Sequence, residues 1–169
     1  LLPRAAEAGV WLFAGETEAL VSPAAVDGAW RDTARQALPK IHSRGQFTDI
    51  ERALAVAQDG WEGAASGGER HLVLLTDGVV DVAKDAALSA ASRERILAQQ
   101  LGELRARGIA VHAVALSDGV DLDLLEALTT GTGGRLERAA EAAQLQRSFL
   151  RMLEQTAPPV TLPLDDRRF

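Results

Sequence analysis

The segment RHLVLLTDGVVD, residues 70–81, carries an almost entirely apolar run directly into a carboxylate. Residues 70–76 have the near-continuous apolar character that a β-strand needs when helices cover both of its faces. A second run of this kind, IAVHAVAL at 109–116, follows a segment with helical periodicity. Buried strands that alternate with helices predict an α/β fold, with a doubly wound, mostly parallel sheet in three layers.

The rest of the chain supplies further strands and helices around this pair. Additional strands are predicted at 8–14, 17–22 and 134–138, and the tight turn at Gly15-Glu16 predicts an antiparallel hairpin for the first two. All strands except 17–22 are therefore expected to run parallel. Apolar residues at helical spacing predict helices at 26–38, 48–61, 92–108, 122–130 and 142–155.

Two aspartates stand where the predicted buried strands end. Asp77 follows strand 70–76, and Asp118 follows strand 109–116. Open α/β sheets bind ligands beyond the carboxyl ends of their strands, so Asp77 is a candidate ligand-binding carboxylate. The alternative is that Asp77 caps the loop or turn that follows it.

Composition excludes several classes of function. The chain has 169 residues, which predicts one domain, and its formal net charge of −6 argues against a nucleic-acid surface. It contains no cysteine, which excludes disulfides and thiolate metal sites. No apolar run reaches the length of a membrane span, and no signal peptide is visible.

Other motifs give weaker indications. The three histidines, His42, His71 and His112, have no metal-ligand spacing. GTGG at 131–134 follows a helix and precedes a strand, the reverse of a phosphate loop, so a helix C-cap is predicted there. The apolar residues of VVDVAKD, 79–85, are either a contact surface for a partner or the buried entry to the next helix.

GQFTDIERAL at 45–54, followed by HLVLLTDGVVD at 71–81, resembles the von Willebrand factor type A (vWA) family. The resemblance continues through GIAVHAVALSD at 108–118 and covers residues 8–155. The family's metal-ion-dependent adhesion site uses three loops, which carry Asp-x-Ser-x-Ser, a Thr and an Asp-Gly. The resemblance implies Mg²⁺ as the cation, Thr48 as the second-loop hydroxyl and Asp77 as the third-loop aspartate. It also implies a partner-binding surface formed by Gly78, Val79, Val80, Asp81 and Asp118.

The chain departs from the family at its first metal loop. No Asp-x-Ser-x-Ser occurs anywhere, and residues 1–15 resemble the end of the family's first helix followed by its second strand. We therefore expect the first, central strand and its loop to lie upstream of Leu1. The chain is then a partial vWA domain at 1–157, followed by an extended linker at 158–169. A gap should separate strand 8–14 from strand 70–76, leaving the chain unstable alone and Mg²⁺ binding weak or absent.

The resemblance implies a protein-binding module and not an enzyme. A complete site holds Mg²⁺ with one open position, which an acidic side chain of the protein partner fills. Two alternatives stay open: a metal-free vWA scaffold, and Mg²⁺-assisted phosphoryl chemistry that would need Lys84 or Arg44 and a base near Asp77. The sequences of residues 41–50 and 74–82 also resemble those of bacterial envelope vWA proteins. This resemblance implies an extracytoplasmic or membrane-anchored parent protein.

Overall fold

A computed structural model of the chain describes residues 7–41, 45–61 and 68–139, together with residues 144, 147, 150 and 151. The strands are β1 (Glu7–Phe13), β2 (Thr17–Ala25), β3 (Arg70–Thr76), β4 (Ile109–Ala115) and β5 (Leu136–Arg138). The helices are α1 (Gly28–Ala37), α2 (Ile50–Asp59), α3 (Ala86–Arg95), α4 (Leu101–Ala106) and α5 (Leu122–Thr132). A 3₁₀ turn, Leu38–Lys40, follows α1, and a π-helical turn, Ile96–Gln100, joins α3 to α4. Strands and helices alternate, so the predicted α/β class is confirmed.

The strands form two separate sheets. β1 and β2 are an antiparallel hairpin, and β3, β4 and β5 form a parallel sheet in that order. Within the described ranges, β1 is hydrogen-bonded to β2 alone and β3 to β4 alone, with no strand between the two sheets. This is the arrangement expected of a vWA-like sheet that lacks its central strand.

The main core lies on one face of the parallel sheet. Leu72 and Leu74 of β3 point to this face, where Leu54 of α2, Leu104 of α4 and Leu124 of α5 are almost completely buried. Each fully buried leucine stabilises the fold by about 1.5–3 kcal/mol. A smaller cluster of Val73, Leu75, Val114, Leu116 and Ala139 lies apart from it. β4 contributes buried residues to both clusters, as its continuous apolar sequence predicts.

Aspartates set where the helices begin. Asp49 Oδ1 accepts from the backbone N–H of Arg52 at 2.9 Å, so α2 begins at Ile50 and not at the predicted residue 48. Asp85 caps α3 in the same way, so the helix predicted at 92–108 begins six residues earlier, at Ala86. Asp121 caps α5, as its position before an apolar run indicates. Gly133 ends α5 with a φ of 78°, which confirms the predicted C-cap.

Other boundaries also differ from the sequence prediction. β2 runs to Ala25 and includes Pro23, which a two-stranded edge tolerates because the missing N–H can face solvent. The predicted strand 134–138 is only three residues long. The helix predicted at 142–155 and the linker predicted at 158–169 fall largely or wholly outside the described residues. Among the described residues, no helix is long and apolar enough to cross a membrane.

Candidate functional site

The carboxyl ends of β3 and β4 lie together at one edge of the parallel sheet. Their last residues, Thr76 and Ala115, are paired in register. Beyond the strands, the Ser117 hydroxyl donates to the backbone oxygen of Asp77 at 2.6 Å. The structure therefore places Asp77 next to the segment that carries Asp118. This is the edge at which open α/β sheets bind ligands.

Thr48 is held at the same edge by backbone hydrogen bonds. Its N–H donates to the Asp81 oxygen at 2.6 Å, and the Asp81 N–H donates back to the Thr48 oxygen at 3.1 Å. The Thr48 hydroxyl oxygen lies 3.5 Å from the position that a Cβ would occupy on Gly78. The Asp49 N–H donates to the oxygen of Ala14 at 2.8 Å, directly after β1. The loop after β3, the segment before α2 and the end of β1 therefore meet around Thr48.

A polar network fixes the helix that follows Thr48. Arg95 donates two hydrogen bonds to the Glu51 carboxylate at 2.7 and 2.8 Å, and the Ser92 hydroxyl donates a third at 2.6 Å. The Gln100 amide donates to the Glu51 backbone oxygen at 2.8 Å. The Arg95 guanidinium is the main reason why the pKa of Glu51 is lowered, and the Ser92 bond lowers it further against the effect of burial. The start of α2 is thus tied to α3 and to the π-helical turn.

The two predicted metal-ligand side chains differ in surroundings. Asp77 is exposed and its carboxylate has no hydrogen-bond partner in the described ranges, whereas Thr48 is partly buried. No group of three or more histidines and carboxylates that could hold a metal ion occurs within those ranges. The arrangement therefore offers one hydroxyl and one free carboxylate, both oxygen ligands of the kind that Mg²⁺ prefers.

The residues predicted as a partner surface divide into exposed and buried side chains. Asp118 is exposed, and Val79 is 48 % exposed. Val80 is 7 % exposed and belongs to the main core, so its side chain presents little surface to a partner. Of the two interpretations of 79–85, contact surface and buried entry, Val79 fits the first and Val80 the second.

An open cleft of about 490 Å³ lies beside Thr48 and Asp81. Phe47 lines one part of it, and Val79, Lys84 and Ser89 line others. Sequence reasoning assigned no role to Phe47 or Ser89, although Phe47 lies within the quoted segment 45–54. Phe47 could have been noticed as an aromatic residue directly before the candidate hydroxyl of Thr48.

A second polar contact lies near the other end of β3 and β4. His71 Nδ1 is 3.1 Å from His112 Nε2, and Glu69 lies 3.4 Å from His71 Nε2. A carboxylate can only accept a hydrogen bond, so in neutral His71 the nitrogen that faces Glu69, Nε2, carries the proton. The Nδ1 of His71 is then an acceptor, and His112 donates to it through Nε2–H. His112 Nδ1 is buried without a partner in the described ranges. Burial, with His71 and Arg135 nearby, lowers the pKa of His112 to about 4. Sequence spacing did not predict this pair.

Comparisons with solved structures identify the fold. The chain aligns with the von Willebrand factor type A protein from Catenulispora acidiphila over 89 % of its length, at a TM-score of 0.70 and 19 % identity. Proximal thread matrix protein 1 from the mussel byssus, solved with a zinc-occupied MIDAS motif, aligns over 86 % of the chain at a TM-score of 0.58 and 18 % identity. An aerotolerance-related membrane protein from Bacteroides fragilis aligns over 88 % at 0.57 and 15 % identity, and 79 % of that protein is covered.

These likenesses show that the chain has the vWA fold. It spans about a third of the first two proteins, 33 % and 35 % of their lengths. No protein-family model and no curated protein sequence matches the chain significantly.

Proposed function

We propose that the chain is a protein-binding module that acts through the sheet edge around Thr48 and Asp77. The observation that carries this proposal is the position of the Thr48 hydroxyl beside the Asp77-Gly78 turn, 3.5 Å from where a Gly78 Cβ would lie. The vWA fold supports it, since this edge is where such a sheet exposes the ends of its strands. An acidic side chain of the partner protein, joined through Mg²⁺, is the mode of binding that we propose.

Thr48 and Asp77 fit part of a Mg²⁺ site. Mg²⁺ takes six oxygen ligands in near-octahedral geometry, and these two side chains would supply two of them. Bound there, the cation would supply a positive charge for the partner's carboxylate. Thr48 would contribute its hydroxyl from a backbone-pinned position, and Asp77 its exposed carboxylate. With so few protein ligands, we expect millimolar affinity or weaker for the chain alone.

We propose that a strand from outside the described residues completes the sheet between β1 and β3. That segment would bring the missing Asp-x-Ser-x-Ser loop to the same edge as Thr48. In this proposal residues 1–157 form the rest of the domain and 158–169 link it to a following region. A membrane-anchored parent protein is part of the proposal, by likeness to the aerotolerance-related membrane protein of Bacteroides fragilis.

The second candidate function is a metal-free scaffold with the same fold. The observation that favours it is the lack of a three-residue acidic or histidine cluster among the described residues. Phosphoryl chemistry has less support, because Lys84 lines a cleft whose lining does not include Asp77, and Arg44 lies outside the described residues. We therefore propose a binding role and not a catalytic one.

Calorimetric titration with Mg²⁺ tests the proposed function. The protein to titrate is the chain extended at its amino end by the segment that supplies the strand and the first loop. We expect saturable binding that Asp77→Ala abolishes, while Glu103→Ala on α4, an exposed carboxylate away from the edge, binds like the parent. No binding would favour the metal-free scaffold, and equal binding by Asp77→Ala would show that Asp77 is not a ligand and overturn the proposed site.

A further inference from the structure

The cleft beside Thr48 is mainly apolar although it opens to solvent. Its apolar lining consists of Phe47, Val79, Val80, Ala83 and Ala86. Val79 leaves 48 % of its surface exposed at this cleft, so it offers apolar surface that a partner can bury. Phe47 directly precedes Thr48, so the cleft is continuous with the sheet edge at which we propose that a partner binds.

The two charged residues of the lining, Asp81 and Lys84, differ in whether they have a partner within the described ranges. Asp81 is the carboxylate among them; it is partly buried, and one of its oxygens lies 3.4 Å from the Ser89 hydroxyl, which donates to it. Lys84 is exposed and forms no ion pair with any residue of the described ranges. This ammonium is therefore an unpaired positive charge at the cleft, and charge complementarity favours a carboxylate of the partner beside it.

We propose that the cleft receives an aliphatic side chain from an extended segment of a protein partner, and that a neighbouring Asp or Glu of that segment pairs with Lys84. The inference deepens the proposed function and rests on it for the identity of the binding edge. The aliphatic residue covers Val79 and Phe47, and the carboxylate meets the unpaired ammonium. The partner class is therefore an acidic segment with a Leu, Ile or Val.

Selection from a library of random dodecapeptides tests this inference. The peptides are displayed on phage and selected on the immobilised chain, once with Mg²⁺ and once with a chelator. We expect enrichment of peptides that place Leu, Ile or Val within a few residues of Asp or Glu. The dissociation constant of one enriched synthetic peptide is then measured by fluorescence polarisation for the parent chain and its variants.

Variants of exposed residues separate the cleft from the rest of the surface. Val79→Ser should weaken binding of the peptide about fivefold, because the bound peptide would bury the exposed part of the Val79 side chain, roughly half of it, and serine removes that apolar contact. Leu88→Ser on α3 is the matched control, since Leu88 is 53 % exposed but does not line the cleft. Lys84→Glu should weaken binding about tenfold at low salt and less at high salt, whereas Arg105→Glu on α4 should have little effect.

The outcomes for the cleft and for the cation site are distinguishable. Enriched peptides whose binding depends on Val79 and Lys84 support the cleft proposal, whether or not the chelator affects binding. If the chelator has no effect, the result counts against the proposed cation site and leaves the cleft proposal intact. Peptides with basic or wholly aromatic consensus would overturn the proposal, and so would equal binding by Val79→Ser and the parent. A dimer of the chain that Val79→Ser dissociates would also overturn it, because the occupant would then be a second copy.

Discussion

Acidification should destabilise this fold through His112, which lies buried on β4. Its pKa is lowered from 6.5 to about 4, first because of burial and then because of His71 and Arg135. The unfolded chain, with the ordinary pKa, binds the proton more readily than the folded chain does. Stability is therefore fully present above about pH 6.5 and is lost as the pH falls toward 4.

The size of this loss follows from the two pKa values. Between about pH 7.5 and about pH 5, the linkage relation gives a loss of about 2 kcal/mol in the free energy of unfolding. That is a large share of the roughly 5–15 kcal/mol that stabilises an ordinary domain. In urea titrations of a chain of this size, the midpoint should fall by about 1 M.

Comparison of the parent with His112→Leu isolates the contribution of this histidine. The carboxylates whose pKa values are lowered, Glu51 and Asp121, also cost stability in acid, but they do so equally in both proteins. The variant should therefore lose about 2 kcal/mol less than the parent over the same range. His71→Gln should keep most of the pH dependence, because burial is its main cause. Equal losses in the parent and in His112→Leu would refute the reasoning.

Three further changes test the packing of the fold. Glu51→Ala should lower the free energy of unfolding by about 1–3 kcal/mol, because Ser92, which is completely buried, loses its acceptor; urea unfolding measures it, and an unchanged midpoint would contradict it. Gly134→Ala should prevent stable folding, since its Cβ would lie 1.8 Å from the Val111 oxygen, whereas Gly102→Ala in open space on α4 should stabilise the chain by up to about 1 kcal/mol, as thermal melts would show. Extending the chain at its amino end by the segment that supplies a strand between β1 and β3 should raise the urea midpoint, because each buried unpaired backbone group costs about 1–3 kcal/mol. An unchanged midpoint would mean that the backbone groups at these strand edges already have hydrogen-bond partners.

Sequence patterns predicted the buried strands well because their signal is local. The predicted strands 70–76 and 109–116 match β3 and β4 closely, because a short uninterrupted apolar run is typical of a strand buried on both faces. The start of the helix predicted at 122–130 also matches α5, because Asp121 directly precedes the apolar run and caps it. The helix predicted at 92–108 began too late, because the first residues of α3, which include exposed Leu88, lack a clear apolar face. The Asp85 cap was the signal that could have located its start.

Contacts between distant segments could not be predicted in the same way. The 41-residue separation of His71 and His112 gives no spacing signal; the pair exists because the register of β3 against β4 brings the two rings together. Periodicity also gave no sign that Glu51 bonds Ser92 and Arg95 on another helix. The placement of Thr48 beside Gly78 was expected only from the family resemblance, because it depends on the backbone bridge to Asp81.

The central claim, that Thr48 and Asp77 form part of a cation site, is tested most directly by NMR with Mn²⁺. This cation prefers the same oxygen ligands as Mg²⁺, and its paramagnetism reveals even weak binding. We predict that small additions of Mn²⁺ broaden the amide signals of Thr48, Asp77 and Gly78 before any others, and that Asp77→Ala removes this selectivity. Broadening that spreads evenly over the acidic surface, or that is unchanged in Asp77→Ala, would contradict the account.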